Sequence, residues 1–225
     1  MSNKIRYIAI GDVHGCINSL ISLIDSLRGE ITDSTYLVFL GDYVDRGPES
    51  KSVIDYLLKL RDEFQCIFIR GNHDQMLLDA FDNDQWALWL QNGGAETLES
   101  YGLDIGEKDF PQEHLDFLRQ TRLYWDTPEF LFVHGGIDPD KTVSEVLETV
   151  QDKRSFMWER SHINQEYNEW EKTVVFGHTP VKSPLIKDKM IGMDTGCVYP
   201  SMGYGNLSAM ILPEMDLHQQ ECTDL

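Results

Sequence analysis

Apolar positions along the chain fall into two patterns. Residues 5–10, 36–40 and 66–70 are near-continuous apolar runs, as expected of short strands buried on both faces. Between the first two, residues 18–27 carry Leu20, Ile21, Leu23, Ile24 and Leu27 at helical spacing. Pro48 and Ser50 then open a helix to about residue 63, with Val53, Ile54, Leu57 and Leu58 on its inner face. This βαβαβ start predicts a parallel sheet with right-handed crossovers. Residues 74–101 read as helices broken at Asn83-Asp84 and at Asn92-Gly93-Gly94, and Pro111 opens another helix. A second group of strands follows at 130–133, 173–176, 185–187, 190–194 and 206–212. Thr142-Val143-Ser144-Glu145 is a capping-box pattern that starts a helix, and residues 153–167 read as helical. Residues 213–225 read as a loosely held tail. With no repeat, low-complexity segment or linker, the chain is expected to be one domain over 1–225, with a core at about 5–212.

Composition narrows the partners. The 225 residues carry 19 Lys+Arg against 38 Asp+Glu, a formal net charge of -19. Such an acid surplus argues against nucleic acid or an anionic membrane surface as the main partner. The apolar runs are too short for a membrane span, and the opening residues lack the form of a signal peptide. The four cysteines, Cys16, Cys66, Cys197 and Cys222, are far apart and form no CxxC. They are expected to be reduced thiols of a cytoplasmic protein rather than a zinc-thiolate site.

The candidate chemistry lies where the strands stop. Five of them end in glycine beside Asp, Asn or His: Gly11-Asp12-Val13-His14, Gly41-Asp42, Gly71-Asn72-His73, His134-Gly135 and Gly177-His178. In open α/β sheets the ligand site lies outside the carboxyl ends of the strands, so these polar ends are expected to converge. A single histidine at a strand end is most often a structural residue. Four of the chain's seven, each beside the same kind of turn and joined by two aspartates and an asparagine, point to metal. Mixed imidazole and oxygen donors without sulfur suit Mn(II), iron or a zinc/iron pair. The number of donors suggests two ions, with one carboxylate between them and room for a shared water or hydroxide.

The motifs GDVHG (11–15), GDYVDRG (41–47), RGNHD (70–74), HGG (134–136) and GHTP (177–180) together resemble the PPP-type metallophosphatases of the calcineurin-like metallophosphoesterase superfamily. The resemblance covers residues 5 to about 212 and is similar in length and in Asp74 to the compact bacterial and phage branch. It implies an α/β fold, a β-sandwich of two mixed sheets flanked by helices. It also implies two divalent metal ions, Mn(2+) first, with iron or zinc as alternatives. Asp12, His14 and Asp42 match the ligands of one ion; Asp42, Asn72, His134 and His178 match those of the other. His73 matches the general acid and Asp45 the carboxylate that orients it. Arg46 matches a phosphate-binding arginine, with Asn72 also at the substrate phosphate. The second phosphate arginine is matched best by Arg160, with Arg154 as the alternative.

These roles suit the residue types. A carboxylate beside His73 is expected to favour the imidazolium, the form that donates a proton. Arginine presents a planar fork of donors to phosphate. Arg70 is expected to brace its loop by pairing with an acid. Asn92-Gly93-Gly94 is either a substrate-side loop or a helix cap, Tyr199 an ordinary turn aromatic, and Trp89 helix core. The expected activity is phosphomonoester hydrolysis on proteins, at phosphoserine and phosphothreonine, with phosphotyrosine as an extension. In-line attack by a metal-bridging hydroxide, with His73 as acid, is the implied chemistry. The alternative is symmetrical hydrolysis of a dinucleoside polyphosphate such as diadenosine tetraphosphate. A catalytically inactive binding scaffold is the remaining class.

Overall fold

The apolar strands divide their side chains between separate cores. β1 (Arg6–Ile10) sends Ile8 and Ile10 to one face and Tyr7 and Ala9 to the other, and all four are buried. That double burial is why residues 7–10 read as an unbroken apolar run. The computed structural model describes residues 5–225; the signal-peptide expectation turns in part on residues 1–4 and lies outside the described residues.

β2 (Thr35–Phe39) and β3 (Gln65–Phe68) follow β1 in parallel, as expected. On the other side β9 (Asn206–Leu212) pairs antiparallel with β1, and β10 (Asp216–Glu221) pairs antiparallel with β9. The first sheet therefore runs β10-β9-β1-β2-β3. The second sheet contains β4 (Tyr124–Asp126), β5 (Phe130–Val133), β6 (Thr173–Phe176), β7 (Leu185–Lys187) and β8 (Met190–Gly192), in the order β4-β5-β6-β8-β7. β5, β6 and β8 are parallel and the two edge strands antiparallel, so both sheets are mixed.

Tyr7, Ala9, Val38, Leu40 and Met210 of the first sheet meet Phe130, Phe132, Val175 and Ile191 of the second in one core. The outer face of the first sheet is covered by α1 (Ile17–Leu27), α2 (Ser50–Glu63), α3 (Asn72–Asn83), α4 (Trp86–Gln91), α5 (Gly94–Tyr101) and α6 (Gln112–Gln120). α7 (Val143–Thr149) packs on the outer face of the second, with Val143 and Val146 against Leu131, Val174 and Phe176. This is the expected sandwich of two mixed sheets flanked by helices. Thr142 caps α7 by accepting from the Glu145 N–H, and the Glu145 side chain returns a bond to the Thr142 N–H.

Three local expectations change. Residues 153–167 form two short 3₁₀ turns, Lys153–Met157 and Ser161–Asn164, rather than a helix. α3 starts at Asn72, two residues early, so Asn72 and His73 sit in its first turn. The tail is not loose: β10 extends the sheet, and the Asp224 carboxylate accepts from the Asn18 and Ser19 N–H groups at the start of α1. A helix leaves its first N–H groups unpaired, and Asp224 satisfies two of them from 206 and 205 residues away in sequence. Alternation in β10 is weak because its side chains are mostly polar and exposed. Among the described residues no helix is long and apolar enough to cross a membrane.

Candidate active site

The five strand-end loops converge, and several do so in a backbone conformation unusual for side-chain-bearing residues. His14, Asp42, Asp45, Arg46 and His178 all have positive φ, between 45° and 73°. Each such residue costs on the order of 1 kcal/mol or more and persists only where its surroundings over-determine it. Asp74 supplies part of that determination. Its carboxylate accepts from the N–H groups of Gly71, Asp42 and Tyr43 at 2.8 to 3.0 Å, clamping the second and third loops together. Burial, with Asp42 nearby, pushes the Asp74 carboxyl up to about 7. Gly71 is required at the same junction, because a Cβ there would overlap the Asp42 carboxylate.

Asp42 stands at the centre. Its Oδ1 accepts from the His73 N–H at 2.9 Å, and its Oδ2 lies 3.5 Å from His14 Nε2 and 3.4 Å from His134 Nε2. Both rings are oriented from behind: His14 Nδ1 is 2.8 Å from the Val44 carbonyl and His134 Nδ1 is 2.7 Å from the Leu40 carbonyl. Each Nδ1–H donates to its carbonyl and turns Nε2 toward Asp42. Asn72 Oδ1 lies 3.0 Å from His134 Nε2. Ligating atoms of Asp42, His134 and His178 fall within 4.8 Å of one another, as do those of His14, Asp42 and His73. Asp12 joins from the side, its carboxylate accepting from the His178 N–H at 3.0 and 3.1 Å.

The cluster keeps a buried negative charge at Asp42. Burial works against the charge of Asp42, but His134, His73 and His14 outweigh it and hold the carboxyl well below its usual range. Burial works against a charged His134 too, yet Asp42 and Asp12 draw the ring up to about 10. Burial lowers His14, and takes His178 down to about 2, leaving both rings neutral with free lone pairs. Arginines donate to those lone pairs: Arg46 Nη1 lies 2.7 Å from His14 Nε2 and Arg160 Nε lies 2.8 Å from His178 Nε2. The neutral Nε2 atoms of His14 and His178, the Nε2 of His134 once its proton leaves, and the ionised Asp42 carboxylate together are a buried donor set that fits divalent transition metal ions.

Arg160 thus reaches the cluster, whereas Arg154 lies 3.6 Å from Asp79 with a largely exposed side chain. Beside Arg160, the half-exposed Trp158 packs edge-on against His178. Arg46 is held from two sides: its N–H donates to the Gly93 carbonyl, and its guanidinium lies 5.4 Å from the Tyr199 ring centre. Tyr199 is therefore part of the site wall. Asn92-Gly93-Gly94 is a helix cap, with Asn92 closing α4 ahead of α5, and the Gly93 carbonyl also seats Arg46. A Cβ on Gly93 would crowd Arg46 Cγ at 2.7 Å, and its φ of +100° independently favours glycine.

His73 and Asp45 form a buried pair, with Nδ1 2.7 Å from Oδ2. The other oxygen of Asp45 accepts from Trp89 Nε1 at 2.8 Å and Thr97 Oγ1 at 2.7 Å. Burial pushes the Asp45 carboxyl up while those two bonds pull it back. Burial takes the His73 ring down to about 4, so the neutral ring, not the expected imidazolium, is favoured around pH 7. Desolvation of the imidazolium outweighs the nearby negative charge. Arg70 does brace its loop, but through carbonyls at the end of α6, Thr121 and Gln75 rather than an acid.

Asp74, Trp89, Thr97 and Asp194 were not singled out as functional from sequence. Burial pushes the Asp12 carboxyl well above its usual range and the charge of buried Asp194 adds to the rise; the Asp194 carboxyl is itself pushed up to about 6 by burial. Asp194 carried the available signal, an acid closing an apolar strand beside Gly196.

The model of the calcineurin-like phosphoesterase family matches residues 5–201, and the chain belongs to that family. An asymmetrical bis(5'-nucleosyl)-tetraphosphatase of Bacillus velezensis is 30% identical over 86% of this chain and 85% of its own. A symmetrical bis(5'-nucleosyl)-tetraphosphatase of Pseudomonas putida is 32% identical over 74% of this chain and 57% of its own. Among solved structures, a cold-active protein-tyrosine phosphatase of a Shewanella species superposes with a TM-score of 0.68 at 18% identity, covering 99% of this chain and 80% of its own. That likeness concerns the fold.

Proposed function

We propose that this metallophosphoesterase hydrolyses a phosphoanhydride bond of dinucleoside tetraphosphates. This reverses the order of substrate classes expected from the motifs. The observation that carries it is the match, over most of the chain, to relatives named as tetraphosphatases of both the asymmetrical and symmetrical kinds.

In this reading Asp12, His14 and Asp42 hold one divalent cation and Asp42, Asn72, His134 and His178 the other. When bound, such a pair lowers the pKa of water and neutralises charge on phosphate oxygens. Arg46 and Arg160 swing from the imidazoles they touch to fork the substrate phosphate, joined by Asn72. Tyr199 and Gly93 limit where Arg46 can go. Asp45 receives the Nδ1–H of His73 and fixes the ring so that Nε2 faces the leaving oxygen. The negative charge of a bound phosphate raises the proton affinity of Nε2, which then carries a proton to the leaving group.

The burial of His73 favours an anhydride substrate. A nucleotide phosphate is a far better leaving group than a serine alkoxide, and it departs with less help from an acid. The second reading, a PPP-type phosphoprotein phosphatase, has one observation on its side. Beside Arg46 lies a hollow of about 500 Å³ lined by Glu49, Glu96 and Glu99. Those acids repel further phosphates and suit a cationic peptide flank. The two readings separate when kcat/KM is measured on diadenosine tetraphosphate and on phosphopeptides with the same Mn(II)-loaded protein. A preference for the dinucleotide of tenfold or more is expected; an equal preference for phosphopeptide overturns the proposal.

A further inference from the structure

Three of the four cysteines, though distant in sequence, meet in space. Sulfur atoms of Cys16, Cys197 and Cys222 lie within 4.8 Å of one another, while Cys66 stays apart. Cys16 and Cys197 are buried and Cys222 is half-buried. Each is fixed by a different element. Cys16 precedes α1, its N–H donating to the Val13 carbonyl. Cys197 lies in the loop between β8 and β9, and Cys222 follows β10 with its N–H on the Gly205 carbonyl.

From this juxtaposition we propose that the three thiols form a second metal site, separate from the His/Asp cluster, for one thiophilic divalent cation of the zinc type. Zinc–sulfur bonds of about 2.3 Å place sulfurs roughly 3.8 Å apart around a tetrahedral ion, so a contraction of about 1 Å or less closes the cluster. Coordination replaces three S–H bonds by three S–metal bonds and releases three protons to solvent. The resulting anionic thiolates face the start of α1, where the helix dipole favours negative charge. Asp224, already bonded to the N–H groups of Asn18 and Ser19, lies near enough for its charge to oppose free thiolates at Cys16 and Cys197, a repulsion that a bound cation offsets. Sulfur selects this cation against the oxygen-rich ligand preference of magnesium or calcium.

The site has two consequences for the fold. It fastens the last strand and the chain end to α1 and the β8–β9 loop. It also fixes Cys16, two residues after His14, and so steadies the loop that carries His14, while the S–H that Cys16 directs at the His14 carbonyl at 3.6 Å is given up to the metal.

Cadmium tests the proposal, because thiolate ligation gives an ultraviolet sulfur-to-metal charge-transfer band that imidazole and carboxylate do not. The reduced protein, first loaded with Mn(II), is titrated with Cd(II). One equivalent is expected to develop the band. Cys222→Ser, at the least buried of the three positions, is expected to weaken Cd(II) binding more than about 100-fold, beyond the usual loss from an outer-shell partner. Cys197→Ala should do the same, and Cys66→Ser should leave the titration unchanged. Absence of the band overturns the site, as does its persistence in both Cys222→Ser and Cys197→Ala. A thiol count showing two of the three already joined in a disulfide, in protein kept under reductant, also overturns it.

Discussion

His73 Nδ1 lies 2.7 Å from Asp45 Oδ2, joining the first turn of α3 to the loop after β2. The pair is buried, and the second oxygen of Asp45 is taken up by Trp89 and Thr97. The ring therefore has one fixed orientation, and Nε2 is its only free nitrogen. His73→Asn is expected to lower kcat by about 10²–10⁴-fold on substrates with poor leaving groups, the range for a lost general acid. The loss should shrink on an activated aryl phosphate. Equal losses on both would argue against proton donation.

The same pair predicts an effect one step further out. Thr97→Val and Trp89→Phe each remove one donor to Asp45 and leave a buried oxygen less satisfied, at about 1–3 kcal/mol of stability. Each is expected to reduce kcat less than His73→Asn does, with the same dependence on leaving group. A change confined to KM would show that these residues do not act through His73.

Arg160 and Arg154 are separated by their neighbours. Arg160 touches His178, and Arg154 lies on Asp79 away from the cluster. Arg160→Ala is expected to lower kcat/KM at least tenfold, while Arg154→Ala stays within twofold. These ratios correspond to about 1.4 kcal/mol and well under 1 kcal/mol. The reverse order would move the phosphate site.

Asp42 faces both His14 and His134 from one carboxylate oxygen. Asp42→Asn is expected to weaken binding at both cation positions, read as retained metal per protein after dialysis. Two tightly held ions in that variant would exclude a shared ligand.

His162 offers a test away from the chemistry. The ring is fully buried against Gly136, Phe176 and Trp170, and both its nitrogens lack a hydrogen-bond partner among the described residues. Burial lowers it from 6.5 to about 4. A depressed histidine binds protons more readily when unfolded. Its contribution is complete above pH 6.5 and is lost as pH falls toward 4, by up to about 3 kcal/mol. His162→Phe should flatten denaturation midpoints across that window. An unchanged slope would place the acid sensitivity elsewhere.

The five strand-end motifs were legible because each is local. An apolar run, a glycine and an Asp, Asn or His within a few residues carry the information in order. Parallel strands then deliver those ends to one edge of the fold, so convergence follows from topology. Residue-level pairing was harder to read. The choice between Arg160 and Arg154, the stacking of Tyr199 on Arg46 and the bonds from Trp89 and Thr97 to Asp45 depend on loops packing at specific distances. The charge of His73 depends on how much water burial removes, a property of the whole pocket. The three thiols and the Asp224 cap bring together positions 16–19, 197 and 222–224. No local periodicity encodes such a meeting. It arises because β10 pairs with β9 and returns the chain end to α1, so only the folded chain decides it.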